Sequence, residues 1–178
     1  MEENLDFLPQ AEPKKKKEGR GLSTGSIVLI VGLVVFIAVL GLQLAQRQQV
    51  QPQPGMRAPD FVLTTFDGTE TYRLSELRGQ VVVVNFWADY CPPCHAEAPD
   101  LQDIYMTYKD RGVIMLGVNW IDIPETALGF INQYGISYPN GTDIGGAFHR
   151  DYNVEAPPET FVIDQEGIVR ATILGNVP

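Results

Sequence analysis

From Ile27 to Ala45 the chain reads IVLIVGLVVFIAVLGLQLA, an uncharged run of 19 residues. As a helix it would span about 28 Å, close to the hydrocarbon thickness of a bilayer. Apolar residues lie on every side of such a helix, whereas a surface helix of a globular domain keeps one polar face. The run is also longer than the apolar core of a cleaved signal peptide and lacks its small-residue cleavage site. Residues 25–46 are therefore expected to form a transmembrane helix, with residues 27–45 against lipid. Before it, residues 1–24 are rich in Glu, Lys, Pro and Gly and have no apolar periodicity, as in a disordered tail. After it, residues 47–55 are mostly polar and contain two prolines, which suits an extended linker.

From residue 56 onwards the pattern alternates between strand and helix periods. Phe61–Thr65 and Glu70–Arg73 flank Asp67-Gly68, a hairpin-turn signal. Residues 80–86 hold four consecutive valines and read as a buried central strand. A helix is expected from near Cys91 towards Asp110, with Pro99 inside it. Val113–Asn119 reads as the next strand, and Pro124–Tyr134 as a helix with proline in its first turn and Gly135 as its stop. A short helix is expected over Gly146–Tyr152. Thr160–Asp164 and Ile168–Leu174 then form a hairpin around Gln165-Glu166-Gly167. This order predicts one α/β domain over residues 56–178, with a mixed central sheet flanked by helices.

Charge sharpens the picture. The chain of 178 residues carries a net charge of −9, yet five of its 13 Lys and Arg fall between Lys14 and Arg20. Basic residues before an apolar span, with only Arg47 close behind it, place the N-terminus in the cytoplasm and the domain outside. The segment after Val50 has seven basic and 17 acidic residues, so nucleic acid is not an expected partner.

The chemistry centres on NFWADYCPPCHAEAP, residues 85–99, where a strand leads through a short turn into a helix opened by Cys91-Pro-Pro-Cys94. These are the only two cysteines in the sequence. A bridge closing so short a loop removes only about 2 kcal/mol from the unfolded chain, so the pair reads as chemical rather than structural. At a helix N-terminus the free backbone amides and the dipole favour an anion, and cysteines so placed have pKa values of about 3.5–7.5. Cys91 is the expected nucleophile. Cys94, about one turn deeper, is the expected resolving thiol. Pro92 and Pro93 remove two amide donors and should tune the potential, with a sign that the sequence leaves open. Trp87 and Tyr90, on either side of the turn, are candidates for packing and for the wall of a substrate groove. Trp120 reads as core or rim, and the lone His149 as structural or exposed.

The stretches GMRAPDFVL (55–63), LSELRGQVVVVNFWADYCPPCHAEAPDL (74–101), YGISYP (134–139) and APPETFVIDQEGIVR (156–170) occur in order. Together they resemble the thioredoxin superfamily and, within it, the membrane-anchored thiol-disulfide oxidoreductases of the TlpA, ResA and DsbE type. The resemblance implies a thioredoxin-like fold and identifies Pro158 with the family's cis-proline, which borders the substrate groove; Pro157 is the less well aligned candidate. It also matches Glu97 to an acidic residue that the subfamily places after the second cysteine. Glu97 shares a helix face with Cys94, and a buried carboxyl there would have its pKa raised towards the range useful for accepting the thiol proton. Where thioredoxins generally keep a buried aspartate on the preceding strand, this chain has Asn85, which cannot act as acid or base.

The expected activity is exchange of the Cys91–Cys94 dithiol or disulfide with cysteines of an extracytoplasmic protein, reset by a membrane thiol reductant or oxidant. The resemblance favours a reducing role on apocytochrome c thiols before haem attachment. No cofactor and no metal are expected. Three other readings stay open. Cys91-Pro-Pro-Cys94-His95 also fits the pattern of covalent haem attachment. Zinc held by Cys91, Cys94, His95 and His149 has an unusual histidine spacing. A third alternative makes the domain an accessory subunit of a membrane complex, its thiols vestigial. Thioredoxin domains generally close with a helix, whereas here the sequence stops at Asn176-Val177-Pro178. Either that helix is absent and one sheet face is under-covered, or the chain is incomplete or borrows a partner's surface.

Overall fold

The computed structural model describes residues 23–46 and 50–177. Most of the expected tail (1–22), residues 47–49 of the expected linker and Pro178 lie outside the described residues. Two units result, the apolar helix and the downstream domain. Helix α1 covers Thr24–Gln46. Ser23 caps it, its Oγ accepting the Ser26 N–H at 3.3 Å. The apolar side chains from Ile27 to Leu42 are exposed, and the segment Thr24–Gln43 is long and apolar enough to cross a bilayer.

The domain contains β1 (Val62–Thr64), β2 (Thr71–Arg73), β3 (Val81–Trp87), α2 (Pro92–Tyr108), β4 (Val113–Asn119), α3 (Pro124–Gln133), β5 (Asn140–Thr142), α4 (Ala147–Asp151), β6 (Glu159–Ile163) and β7 (Val169–Leu174). Five strands form a mixed sheet in the order β5-β4-β3-β6-β7. β3 pairs parallel with β4 and antiparallel with β6. This is the thioredoxin-like α/β fold. β1 and β2 form a separate hairpin across the Asp67-Gly68 turn, where Gly68 takes φ +69°.

The period of two along β3 divides the core. Val82, Val84 and Phe86 belong to a cluster with Phe61, Phe148, Tyr152 and Phe161. Trp87 belongs to the other cluster, with Cys91, Cys94, Leu101, Ala127 and Phe130 from the α2 and α3 side. Asn85 shares the parity of Trp87, so it too faces α2. The redox pair thus sits at the C-terminal end of the central strand, where β3 hands over to α2.

Two features depart from the sequence pattern. β5 has no apolar run, only Asn-Gly-Thr. It pairs with β4 and meets the hairpin, since Phe66 N–H donates to the Asn140 carbonyl at 3.0 Å. Gly141 is required for this approach, because a Cβ there would lie 2.0 Å from the Thr64 carbonyl oxygen. Residues 51–55, counted above with the linker, are held against the domain. Gln51 Nε2 donates to Glu159, the Pro52 carbonyl accepts from Thr172 Oγ1 at 2.8 Å, and Gly55 N–H donates to the Val169 carbonyl at 2.8 Å.

Candidate active site

Helix α2 begins with two prolines because its first turn needs no backbone donors of its own. Cys91 is its N-cap, in extended conformation. With Pro92 and Pro93 lacking N–H groups, the first amide donor of the helix is that of Cys94. It is shared between the Cys91 carbonyl oxygen at 3.0 Å and Cys91 Sγ at 3.2 Å. The two prolines therefore leave the sulfur one directed amide besides the helix dipole. Cys91 and Cys94 form a disulfide, both are buried, and their Cα atoms lie 5.3 Å apart.

The second wall comes from the other side of the sheet. The Pro157–Pro158 bond is cis, and the Pro157 carbonyl oxygen stands 3.4 Å from Cys91 Sγ. Pro158 thus precedes β6 at the point where its loop meets the redox pair. Tyr90, the residue before Cys91, is 56% exposed. Trp87, assigned above partly to the groove wall, is corrected to a core residue. It is 2% exposed, stacks on Phe130 at 4.5 Å and donates from Nε1 to Asn140 Oδ1 at 2.9 Å.

Glu97 lies one turn beyond Cys94 and is 2% exposed. Its Oε1 accepts from Asn85 Nδ2 at 2.8 Å and its Oε2 from the Val177 N–H at 3.0 Å. Asn85 also donates to Thr160 Oγ1 at 3.0 Å, its register partner on β6. Burial pushes the Glu97 carboxyl above its ordinary range, opposed by the bonds from Val177 and Asn85. Such a group can take and return a proton where a fully ionised surface carboxylate would hold none.

His95 is committed elsewhere: Nδ1 pairs with Tyr134 Oη at 2.9 Å and Nε2 with the Asp89 carbonyl oxygen at 2.6 Å. Both ring nitrogens of His95 are thus engaged by groups of the domain itself. His149 stacks on Trp120 with ring centroids 4.2 Å apart.

Two residues of the site had no assigned role in the sequence. Asp122 Oδ2 accepts from the Asp89 N–H and from Asn119 Nδ2, both at 2.6 Å, tying the loop after β4 to the turn before Cys91. Glu159 stands beside Pro158 and is buried. The only signal for it was a charged residue opening an apolar strand directly after two prolines.

Residues 54–172 match the model of the AhpC/TSA family. The chain belongs to that family. Among its relatives, thiol-disulfide oxidoreductase ResA of Geobacillus kaustophilus is 35% identical over 148 residues, 82% of this chain and 84% of the relative. ResA of Bacillus anthracis is 32% identical over 150 residues, 83% and 86%. A crystal structure of a thiol:disulfide interchange protein of the thioredoxin family from Chlorobium tepidum superposes with a TM-score of 0.62 at 30% identity. It covers 72% of this chain and 89% of that one. The protein is accordingly a thiol-disulfide oxidoreductase of thioredoxin-like fold, a member of the group that the sequence motifs resemble.

Proposed function

We propose that the domain reduces disulfides of extracytoplasmic proteins through Cys91 and Cys94, with cysteines of an apocytochrome c awaiting haem as the favoured substrate. In the reduced enzyme the Cys91 thiolate attacks a partner disulfide. The partner's S–S bond breaks, a Cys91–partner bond forms, and the second partner sulfur leaves as thiolate. Cys94 then passes its proton to Glu97 and attacks Cys91 Sγ, which releases the partner dithiol and closes the Cys91–Cys94 disulfide. Two electrons have moved to the partner, and a membrane thiol reductant supplies two to restore the pair. Pro158, Pro157 and Tyr90 border the opening through which the partner reaches Cys91.

The observation that carries this reading is the Cys94 N–H directed at Cys91 Sγ at the N-terminus of α2, which marks Cys91 as the sulfur best able to exist as an anion. The placement proposed is a cytoplasmic tail over residues 1–24, a span over residues 25–46 and the redox domain outside, supported by the uncharged run and the cluster Lys14–Lys17 before it. In intact cells a Cys94→Ser variant is expected to accumulate a reducible adduct between Cys91 and an extracytoplasmic cysteine protein. Absence of any adduct, or an adduct on cytoplasmic proteins alone, contradicts the proposal.

A further inference from the structure

Glu159 opens β6 immediately after Pro158 and is 3% exposed. Its Oε1 accepts the backbone N–H of Glu155 at 2.8 Å and of Ala156 at 3.1 Å, and its Oε2 accepts from Gln51 Nε2 at 2.5 Å. All three partners are donors, so the group acts purely as an acceptor. Pro157 and Pro158 have no N–H, which leaves Glu155 and Ala156 as the last backbone donors before β6. Both converge on one oxygen of the same side chain. The carboxylate thereby satisfies two donors that the sheet does not reach and holds the loop by two bonds at once.

That loop ends at the Pro157 carbonyl, 3.4 Å from Cys91 Sγ. A contact path therefore runs from Gln51, in the segment after α1, through Glu159 to the loop and on to the reactive sulfur. We infer that Glu159 is a positioning residue for thiol-disulfide exchange. It fixes the Glu155–Pro158 loop at the mouth of the site, and Gln51 fixes Glu159. Gln51, near the start of the downstream unit, is thus part of the support of its chemistry, an assignment that rests on Cys91 being the nucleophile.

Two consequences separate positioning from simple stabilisation. A loop released from Glu159 no longer presents a fixed wall to the partner, so KM for a protein disulfide rises more than kcat falls. The Pro157 carbonyl also favours the neutral thiol of Cys91, which can donate to it, over the thiolate. Release of the loop therefore moves the titration of Cys91 to lower pH.

The test uses the full chain in detergent. Glu159→Ala is expected to lower kcat/KM for a protein disulfide about 10- to 100-fold, mainly through KM, as for a misplaced binding element. It is also expected to shift the pH dependence of Cys91 alkylation downwards. Glu159→Gln restores most of both, because its Oε1 accepts the two loop N–H groups and the Gln51 amide turns its oxygen to the new donor. Wild-type KM and alkylation profile in a folded Glu159→Ala variant overturn the proposal, as does a loss that Glu159→Gln fails to restore. Should Glu159→Ala not fold, Gln51→Ala carries the test, since it removes one of three donors and leaves the core intact. It is expected to raise KM severalfold, and an unchanged KM overturns the proposal. Failure of the underlying reading looks different: Cys94→Ser would then trap no partner on Cys91, whatever the state of Glu159.

Discussion

Replacing Glu97 by Gln separates the chemistry of this residue from its packing. The carboxylate accepts from Asn85 at 2.8 Å and from Val177 at 3.0 Å. Glutamine is nearly the same size but has one acceptor. If its oxygen faces Asn85, its amide nitrogen faces the Val177 N–H, donor against donor. The lost bond to a charged acceptor costs about 1.5–3 kcal/mol, offset in part because no charge is buried any longer. Set against a usual domain stability of about 5–15 kcal/mol, the variant stays folded.

The kinetic effect is larger. Proton transfer by a positioned group contributes about 10²–10⁴-fold. Water can replace part of that, so resolution of the mixed disulfide by Cys94 is expected to slow by about 10- to 100-fold. A single-turnover reaction of the reduced enzyme with a labelled peptide disulfide, quenched in acid, measures this. The Cys91–peptide species is fleeting in the wild type and accumulates in the variant. The pH dependence carries the sign. Glu97 accepts a proton only when ionised, and burial raises its carboxyl, so wild-type resolution quickens as pH rises through that raised value. The variant lacks this step. Stability follows the opposite course. A raised folded-state value means that the wild type gains stability as pH falls from there towards the ordinary 4.5, a gain absent from the variant. Equal resolution rates with the same pH profile in both proteins would refute the role of Glu97.

Trp87→Phe removes the donor to Asn140 Oδ1 and leaves that buried acceptor unpaired, so stability is expected to drop by about 1–3 kcal/mol. Urea unfolding reads this as a lower midpoint at constant slope, and an unmoved midpoint would show that the Trp87–Asn140 bond adds nothing to stability. Gly141→Ala forces a methyl group against the Thr64 carbonyl and is expected to cost about 1–3 kcal/mol. Amide exchange at Phe66, bonded to Asn140, should then quicken; unchanged protection would show that β5 and the hairpin tolerate the insertion.

Much of the fold was legible because its signals are local. Four valines in a row mark β3, prolines at 92, 93 and 124 mark helix starts, and an uncharged stretch marks α1. β5 escaped because three polar residues join a sheet for reasons held by their neighbours, a vacancy beside β4 and a glycine that admits the Thr64 carbonyl. Residues 51–55 look like a spacer by composition, since what holds Gly55 is a backbone bond to β7 that no side-chain pattern reports. In the site, the cysteines and Glu97 announce themselves by spacing. For Trp87, next to the turn, the sequence suits either packing or the groove wall, and its parity on β3 assigns it to packing on the side of Phe130. Glu159 and Asp122 make contacts to Gln51 and Asp89 that are distant in sequence, which leaves a lone carboxylate indistinguishable from a solvated one.

The proposed function requires that the start of α2 make Cys91 the anionic sulfur. Titration of the reduced protein, followed by thiolate absorbance in the ultraviolet, tests it directly. One cysteine is expected to ionise within about pH 3.5–7.5, with that transition lost in Cys91→Ser and kept in Cys94→Ser. Ionisation of both thiols near the free value of about 8.5, or an early transition that follows Cys94, would contradict it.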